Sequence, residues 1–285
     1  MRRYYFLDFL FLLLLLPCSS LAQPSPDNGL LWEDEQYGES PMMAYYALSD
    51  RGGDIPAIKD FKAFCPTPQD QGNTASCVGY ALAHGLTIAR SIQKKWRGRT
   101  NIDAHAHSAS FIYNQIKLDE DCESGAYLTA GLRLLQQQGD CLISDFKNTP
   151  GNCRPVPQSI HKQKASAYRI FQYKALFLPD ATEKEKLDQV RTALANGQPP
   201  VIGMYVPINI KVVSPSQLDW SSSAPKSGHA LVVIGYNEKE RTFELLNSYG
   251  PAWGDGGFFK LPYDVLASHI RYGFCLELGE DFGCE

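Results

Sequence analysis

The run QDQGNTASCVGY, from Gln69 to Tyr80, puts a cysteine at the opening of the clearest helix pattern in the chain. After Cys77, the residues Val78, Leu82, Gly85, Ala89, Ile92 and Trp96 recur at steps of three and four, which predicts a helix over Ser76–Trp96 with one buried face. Asn73, Thr74 and Ser76 offer capping oxygens ahead of it. N–H groups at a helix start have no partner within the helix, and the dipole end is positive. Both favour a thiolate over a thiol. Gly72 allows close backbone approach, and Gln71 presents an amide six residues before Cys77. A nucleophile at a helix start, beside a donor able to hold an oxyanion, is what acyl transfer requires. Taken alone, a structural cysteine is the plainer alternative.

Working outward, helices are expected over Ser108–Lys117 and over Gly125–Gln138, where Leu128, Leu132 and Leu135 share a stripe and Gly139 is the stop. The stretch from Cys141 to about Lys164 reads as irregular, disulfide-tied loop. Thr182 and Glu185 form a capping box for a further helix that turns Leu187, Val190 and Leu194 inward and ends at Gly197. Strand-like runs follow at Val201–Val206, Ala230–Tyr236, Thr242–Leu246 and Gly257–Leu261, with Asn237–Glu240 as the turn of a hairpin. Helices first and strands second predict an α+β protein of two lobes, divided near residue 165. Residues 23–55 are rich in Pro, Gly and acids with little periodicity, and read as an extended leader or short pro-segment.

The first 22 residues predict an export signal. Arg2 and Arg3 open it, Phe9–Leu16 is an unbroken apolar run, and Ser20-Leu21-Ala22 is a cleavage site. That run is well short of the ~20 residues a membrane span needs, so no stable membrane insertion is expected after processing. The formal charge is −4, and becomes −5 when Arg2, Arg3 and Asp8 leave with the signal. Such mild acidity gives no support to a nucleic-acid partner. Seven cysteines remain after the signal: Cys65, Cys77, Cys122, Cys141, Cys153, Cys275 and Cys284. In an oxidising compartment an odd set predicts three disulfides and one free thiol, with the connectivity open.

Two further runs carry chemistry. SGHALVVIGYN, Ser227–Asn237, begins an apolar strand with His229, a position where a purely structural histidine is the commoner case. LLNSYGPAWGDGGFF, Leu245–Phe259, ends a strand at Asn247, whose amide suits accepting from a histidine N–H, with Tyr249 placed to keep water off that bond. Together the three runs resemble the papain family of cysteine peptidases, with its QG-x-x-x-x-C, HA-x-x-x-x-GY and NS-x-G-x-x-WG-x-GG(F/Y) motifs. Here these are Gln71, Gly72 and Cys77; His229, Ala230, Gly235 and Tyr236; and Asn247, Ser248, Gly250, Trp253, Gly254, Gly256, Gly257 and Phe258. Pro200-Val201 and Cys122-Glu-Ser-Gly125 extend the likeness over about 56–275.

The resemblance implies a papain-like fold over 56–285, a helical lobe at about 56–165 and an antiparallel β-barrel-like lobe at 166–285. It implies a secreted or periplasmic endopeptidase with Cys77 as nucleophile, His229 as base, Asn247 as the residue orienting it, and Gln71 in the oxyanion hole. Gly125, Met204, Ala230 and Trp253 would bind substrate, with Met204 beside Ala230 in the pocket for the residue two before the cut. The partner would be a peptide or protein, the chain a monomer, and no cofactor or metal is implied. His105 and His107 are expected at the surface; His84, His161 and His269 have no catalytic part.

The chain also departs from the family. Thr74 stands where a cysteine is usual, so Cys122 must pair elsewhere. Val78 replaces an aromatic residue and Tyr249 a tryptophan. Residues 23–55 are too short for the usual helical pro-region, which puts control by such a segment in doubt. Two other functions share these residues: an amidohydrolase acting on non-peptide or isopeptide amides, and an inactive homologue that binds peptides.

Overall fold

A short helix, α1 (Asp34–Gly38), and a three-residue strand, β1 (Ile58–Asp60), precede the helix that organises the molecule, α2 (Cys77–Gln93). The structure is a computed structural model that describes residues 28–43 and 55–279. The export signal and Cys284 therefore lie outside the described residues. In α2, 14 of 17 residues are buried, so it is covered nearly all round and not on one stripe alone. Its glycines make that possible. A Cβ at Gly79 would sit 2.6 Å from the Ala109 carbonyl oxygen, and one at Gly85 would sit 2.5 Å from Val201 Cγ2. Gly79 thus admits a neighbouring helix and Gly85 the sheet.

On one side of α2 lie α3 (Arg99–Ala104), α4 (Ala109–Ile116) and α5 (Leu128–Gln137). Ser108 caps α4, accepting from Phe111 N at 3.1 Å. The stretch expected to be irregular holds one helix, α6 (Ser159–Ala165). The second half is a sheet of β2 (Gln172–Ala175), β3 (Val201–Pro207), β4 (Lys226–Asn237), β5 (Thr242–Leu246), β6 (Phe258–Pro262) and β7 (Ile270–Glu277), with α7 (Glu183–Ala195) and α8 (Tyr263–His269). Thr182 and Glu185 make the expected capping box at α7. The strand order is β2-β7-β3-β4-β5-β6, every pair antiparallel, and β1 joins β4. The mixture of helices with an antiparallel sheet is the fold class expected.

Two expectations are corrected here. Among the described residues there is one disulfide, Cys122–Cys153, while Cys65, Cys141 and Cys275 are buried thiols. Cys65 and Cys141 belong to different apolar clusters. Their Sγ–H groups turn instead to carbonyls, of Phe61 at 3.4 Å and His161 at 3.0 Å. His107 is not a surface residue. It is fully buried, with Nδ1 3.7 Å from a carboxylate oxygen of the equally buried Asp140, on an edge-on contact with Tyr168.

Candidate active site

Cys77 is the first residue of α2, and the sheet supplies what faces it. In β4 His229 lies opposite Met204 of β3, and Asn247 follows the last residue of β5. The His229 ring gives Nε2 to Asn247 Oδ1 at 2.8 Å, while its Nδ1 has no hydrogen-bond partner. Tyr249 stacks on that ring, with centroids 5.2 Å apart and planes 10° from parallel. Gln71 is set from both ends: its Oε1 accepts from Ser248 Oγ at 2.6 Å and its Nε2 donates to Thr74 O at 2.7 Å. The structure therefore brings Gln71, Ser248, Asn247 and His229 together, and Cys77 meets the backbone N–H of Ala230, next to His229.

The same Gln71 Nε2 and the backbone N–H of Cys77 also point at a single carbonyl oxygen, that of Asn28, each at 3.4 Å. Asn28 opens a segment that fills the groove. Its side chain donates to Ser227 Oγ at 2.5 Å and accepts from the Tyr249 hydroxyl. Gly29 has φ of 102°, and a Cβ there would fall 1.8 Å from the Ala75 carbonyl oxygen, so only glycine fits. Leu30 bridges in parallel with Ala126. Ala126 N donates to Gly29 O at 2.8 Å, and Leu31 N donates to Ala126 O at 3.1 Å.

Beyond the groove the segment is fastened by side chains. Trp32 packs on Tyr205 at 4.3 Å. The buried Glu33 carboxylate accepts from Thr129 N at 2.8 Å and from its hydroxyl, closing the start of α5. Burial raises that carboxyl's pKa above the ordinary value, against the pull of the Thr129 bonds. Asp34 binds the Arg271 guanidinium through both oxygens, and the Tyr37 ring is wholly buried among Phe177, Tyr272 and Phe274. A segment expected to be poorly structured is thus docked along 28–43. Its anchor at the nucleophile is main chain, which a hydropathy pattern does not record.

This cover sets the electrostatics. Cys77 and His229 have no exposed surface. Burial pushes the Cys77 thiol up to about 12, against the pull of the backbone N–H groups of Ala230, Val78 and Cys77. Burial pushes His229 down to about 4, only partly offset by Asn247. At neutral pH the covered pair is thiol and imidazole. The helix start favours the thiolate, but by only about 0.3–2 kcal/mol, and loss of water outweighs it.

Of the four substrate-binding expectations, Gly125 lies against the docked segment, and the placement of Met204 beside Ala230 is corrected. A Cβ on Gly125 would meet Gly29 O at 2.6 Å. Ala230 is opposite Gly203, not Met204, and a Cβ on Gly203 would meet Leu30 Cδ2 at 2.8 Å, Tyr272 Cδ2 at 3.1 Å and Leu128 Cδ1 at 3.2 Å. Side chains alternate along a strand, so Met204 shares His229's face and the position facing Leu30 is Gly203. Trp253 donates Nε1–H to Ile210 O at 3.0 Å and packs edge-on against Tyr249 and Phe259, so it braces Tyr249 from behind. Gly203→Val is expected to narrow the pocket that Leu30 fills. Profiling a peptide library should show large residues two before the cut losing about 10-fold or more relative to Ala.

No protein-family model matches the chain. An uncharacterized peptidase C1-like protein of Acanthamoeba polyphaga mimivirus is 26% identical over 227 residues, covering 75% of this chain and 71% of that protein. Among solved structures, xylellain, a cysteine protease from Xylella fastidiosa, superposes with a TM-score of 0.73 at 22% identity, over 90% of this chain and 97% of its own. Digestive procathepsin L 3 of Tenebrio molitor gives 0.62 at 14% identity, over 88% and 76%. Bromelain from Ananas comosus gives 0.55 at 16% identity, over 79% and 100%. The fold is that of the papain-like cysteine proteases.

Proposed function

We propose that this chain, papain-like in fold and similar in sequence to a papain-type peptidase, is a secreted cysteine endopeptidase whose groove is held shut by residues 28–43. One observation carries the reading: Gln71 Nε2 and Cys77 N already converge on a peptide carbonyl oxygen, beside an imidazole tethered to Asn247. That groove holds main chain through main-chain contacts at Ala126 and Gly228, which supports a peptide substrate over an isopeptide or cell-wall amide.

With the segment displaced and water admitted, the proton of Cys77 Sγ passes to His229 Nδ1. The thiolate adds to the substrate carbonyl carbon, and the negative oxygen rests on Gln71 Nε2 and Cys77 N–H. Imidazolium Nδ1–H protonates the leaving amine, the C–N bond breaks, and a thioester remains. Water, giving a proton to the same nitrogen, attacks the thioester and releases the acid and the thiol. Asn247 keeps the ring aimed through Nε2 and moves no proton. Removing it forfeits one hydrogen bond to a group that becomes charged, about 1.5–3 kcal/mol. Asn247→Ala is therefore expected to lower kcat by about 10- to 100-fold, less than loss of His229.

The resident segment is not itself a substrate. Past Asn28 it runs along Gly125 and Ala126, the wall that the family resemblance gives to the acyl half, so its polarity is opposite to that of a cleavable chain. The test is dye release from a short peptide by the full chain carrying Leu30→Asp, which puts a carboxylate where an apolar side chain seats the segment. Turnover that a thiol-directed epoxide abolishes is expected. A protein that binds the epoxide on Cys77 yet cuts no peptide would overturn the proposal.

A further inference from the structure

Lys211 lies in the loop between β3 and β4, and its ammonium crosses to the loop that carries Gln71. It donates to the carbonyl oxygen of Gly72 and, at 2.8 Å, to Asn73 Oδ1, and it stands 5.9 Å from the centre of the Tyr249 ring. An ammonium has three donors; two are taken, both by neutral oxygens. Among the described residues no carboxylate pairs with it. Asp70, in the same loop, spends Oδ1 on Gly72 N. A half-buried positive charge thus keeps one N–H free at the edge of the groove.

The docked segment shows which edge. From Gly29 onward it follows Gly125, Ala126, Gly203 and Gly228, and Lys211 touches none of these. Lys211 lies instead over the Tyr249 ring that stacks on His229, and the Tyr249 hydroxyl donates to Asn28 Oδ1. His229 must hand its proton to the leaving amine. The half of a substrate that departs with that amine therefore passes His229 and Tyr249, within reach of Lys211.

We propose that Lys211 selects substrates with a carboxylate on the leaving side of the cut. This is an acidic side chain in the first two positions after it, or the α-carboxylate of a short C-terminal piece. The inference rests on the peptidase reading and adds a substrate class to it. A partly desolvated ion pair contributes at about the upper end of the exposed range, equivalent to about a five-fold preference.

The experiment uses the full chain with Leu30→Asp and peptide pairs differing only by Glu or Gln after the cut, each with a free-acid or amidated end. A Glu-over-Gln or acid-over-amide ratio in kcat/KM of about five-fold is expected, shrinking as salt is raised. Whichever ratio appears identifies the carboxylate's source. Lys211→Met should bring that ratio to about one, Lys211→Glu should invert it, and Lys211→Arg should retain it. Ratios near one in the parent, or an equal slowing of all four peptides by Lys211→Met, would overturn the proposal and leave Lys211 as a brace between two loops. A failure of every peptide to be cut would instead fell the peptidase reading first.

Discussion

Cys77→Ala is expected to bring peptide turnover below detection while the protein still folds. The substitution removes the one atom that forms the acyl bond, and losing such a nucleophile costs about 10⁶ in kcat where it has been removed from comparable triads. The oxyanion donors, Gln71 Nε2 and Cys77 N, survive it, because neither is on the lost side chain. Folding should tolerate the change. Cys77 is fully buried, but replacing Sγ with hydrogen opens a void smaller than a methyl group, at about 1 kcal/mol. The check pairs hydrolysis with a thermal melt on the same sample. A correctly melting Cys77→Ala protein that still cuts peptide in a thiol-dependent way would transfer the chemistry to another cysteine. The other described thiols, Cys65, Cys141 and Cys275, are poorly suited. All are buried, burial raises the pKa of each, and none of them opens a long helix as Cys77 does.

What the sequence displays depends on whether recognition runs through side-chain pattern or through backbone. The helix behind Cys77, the Thr182–Glu185 box and the hairpin of β4 and β5 are local, repetitive patterns, and all are visible in one strand of text. Strands β2 and β7 are not. They pair with each other across about a hundred residues, β2 is half-exposed, and a short run such as Gln172–Ala175 carries little period. The candidate site was legible because the spacing of its three runs resembles that of a known family. The neighbour of Ala230 was not, because Gly203 and Met204 differ by one register step and that step exchanges the two faces of β3.

The three disulfides expected from parity were out of reach for a different reason: parity says how many thiols remain but not where they lie, and Cys65 and Cys141 fall in different clusters. The His107–Asp140 pair likewise joins residues 33 positions apart with no motif between them. Least legible was the docked segment, because Asn28 and Gly29 act through a carbonyl oxygen and a positive φ, and hydropathy is blind to both.

Unseating that segment is expected to raise activity more than any other single change lowers it, short of losing the triad. Leu30 is buried against Gly203 and Leu128, and an aspartate there must give up its hydration without a described cation beside it. Burying an unpaired charge costs several kcal/mol, so the docked state loses to the open one instead of accepting it. If about 3 kcal/mol of docking is forfeited, the open population and the rate with a short peptide should rise by about 100-fold. Cys77 reports the same event without any substrate. Covered, its thiol is pushed up to about 12 and has no exposed surface, so alkylation at pH 7 should be slow. Uncovered, water and the helix start can support the thiolate beside imidazolium, and labelling should accelerate in step with hydrolysis. Glu35→Gln, on the exposed face of α1, serves as the control and should change neither rate. Equal alkylation of Cys77 in the Leu30→Asp and parent proteins would show that residues 28–43 do not govern access to the groove.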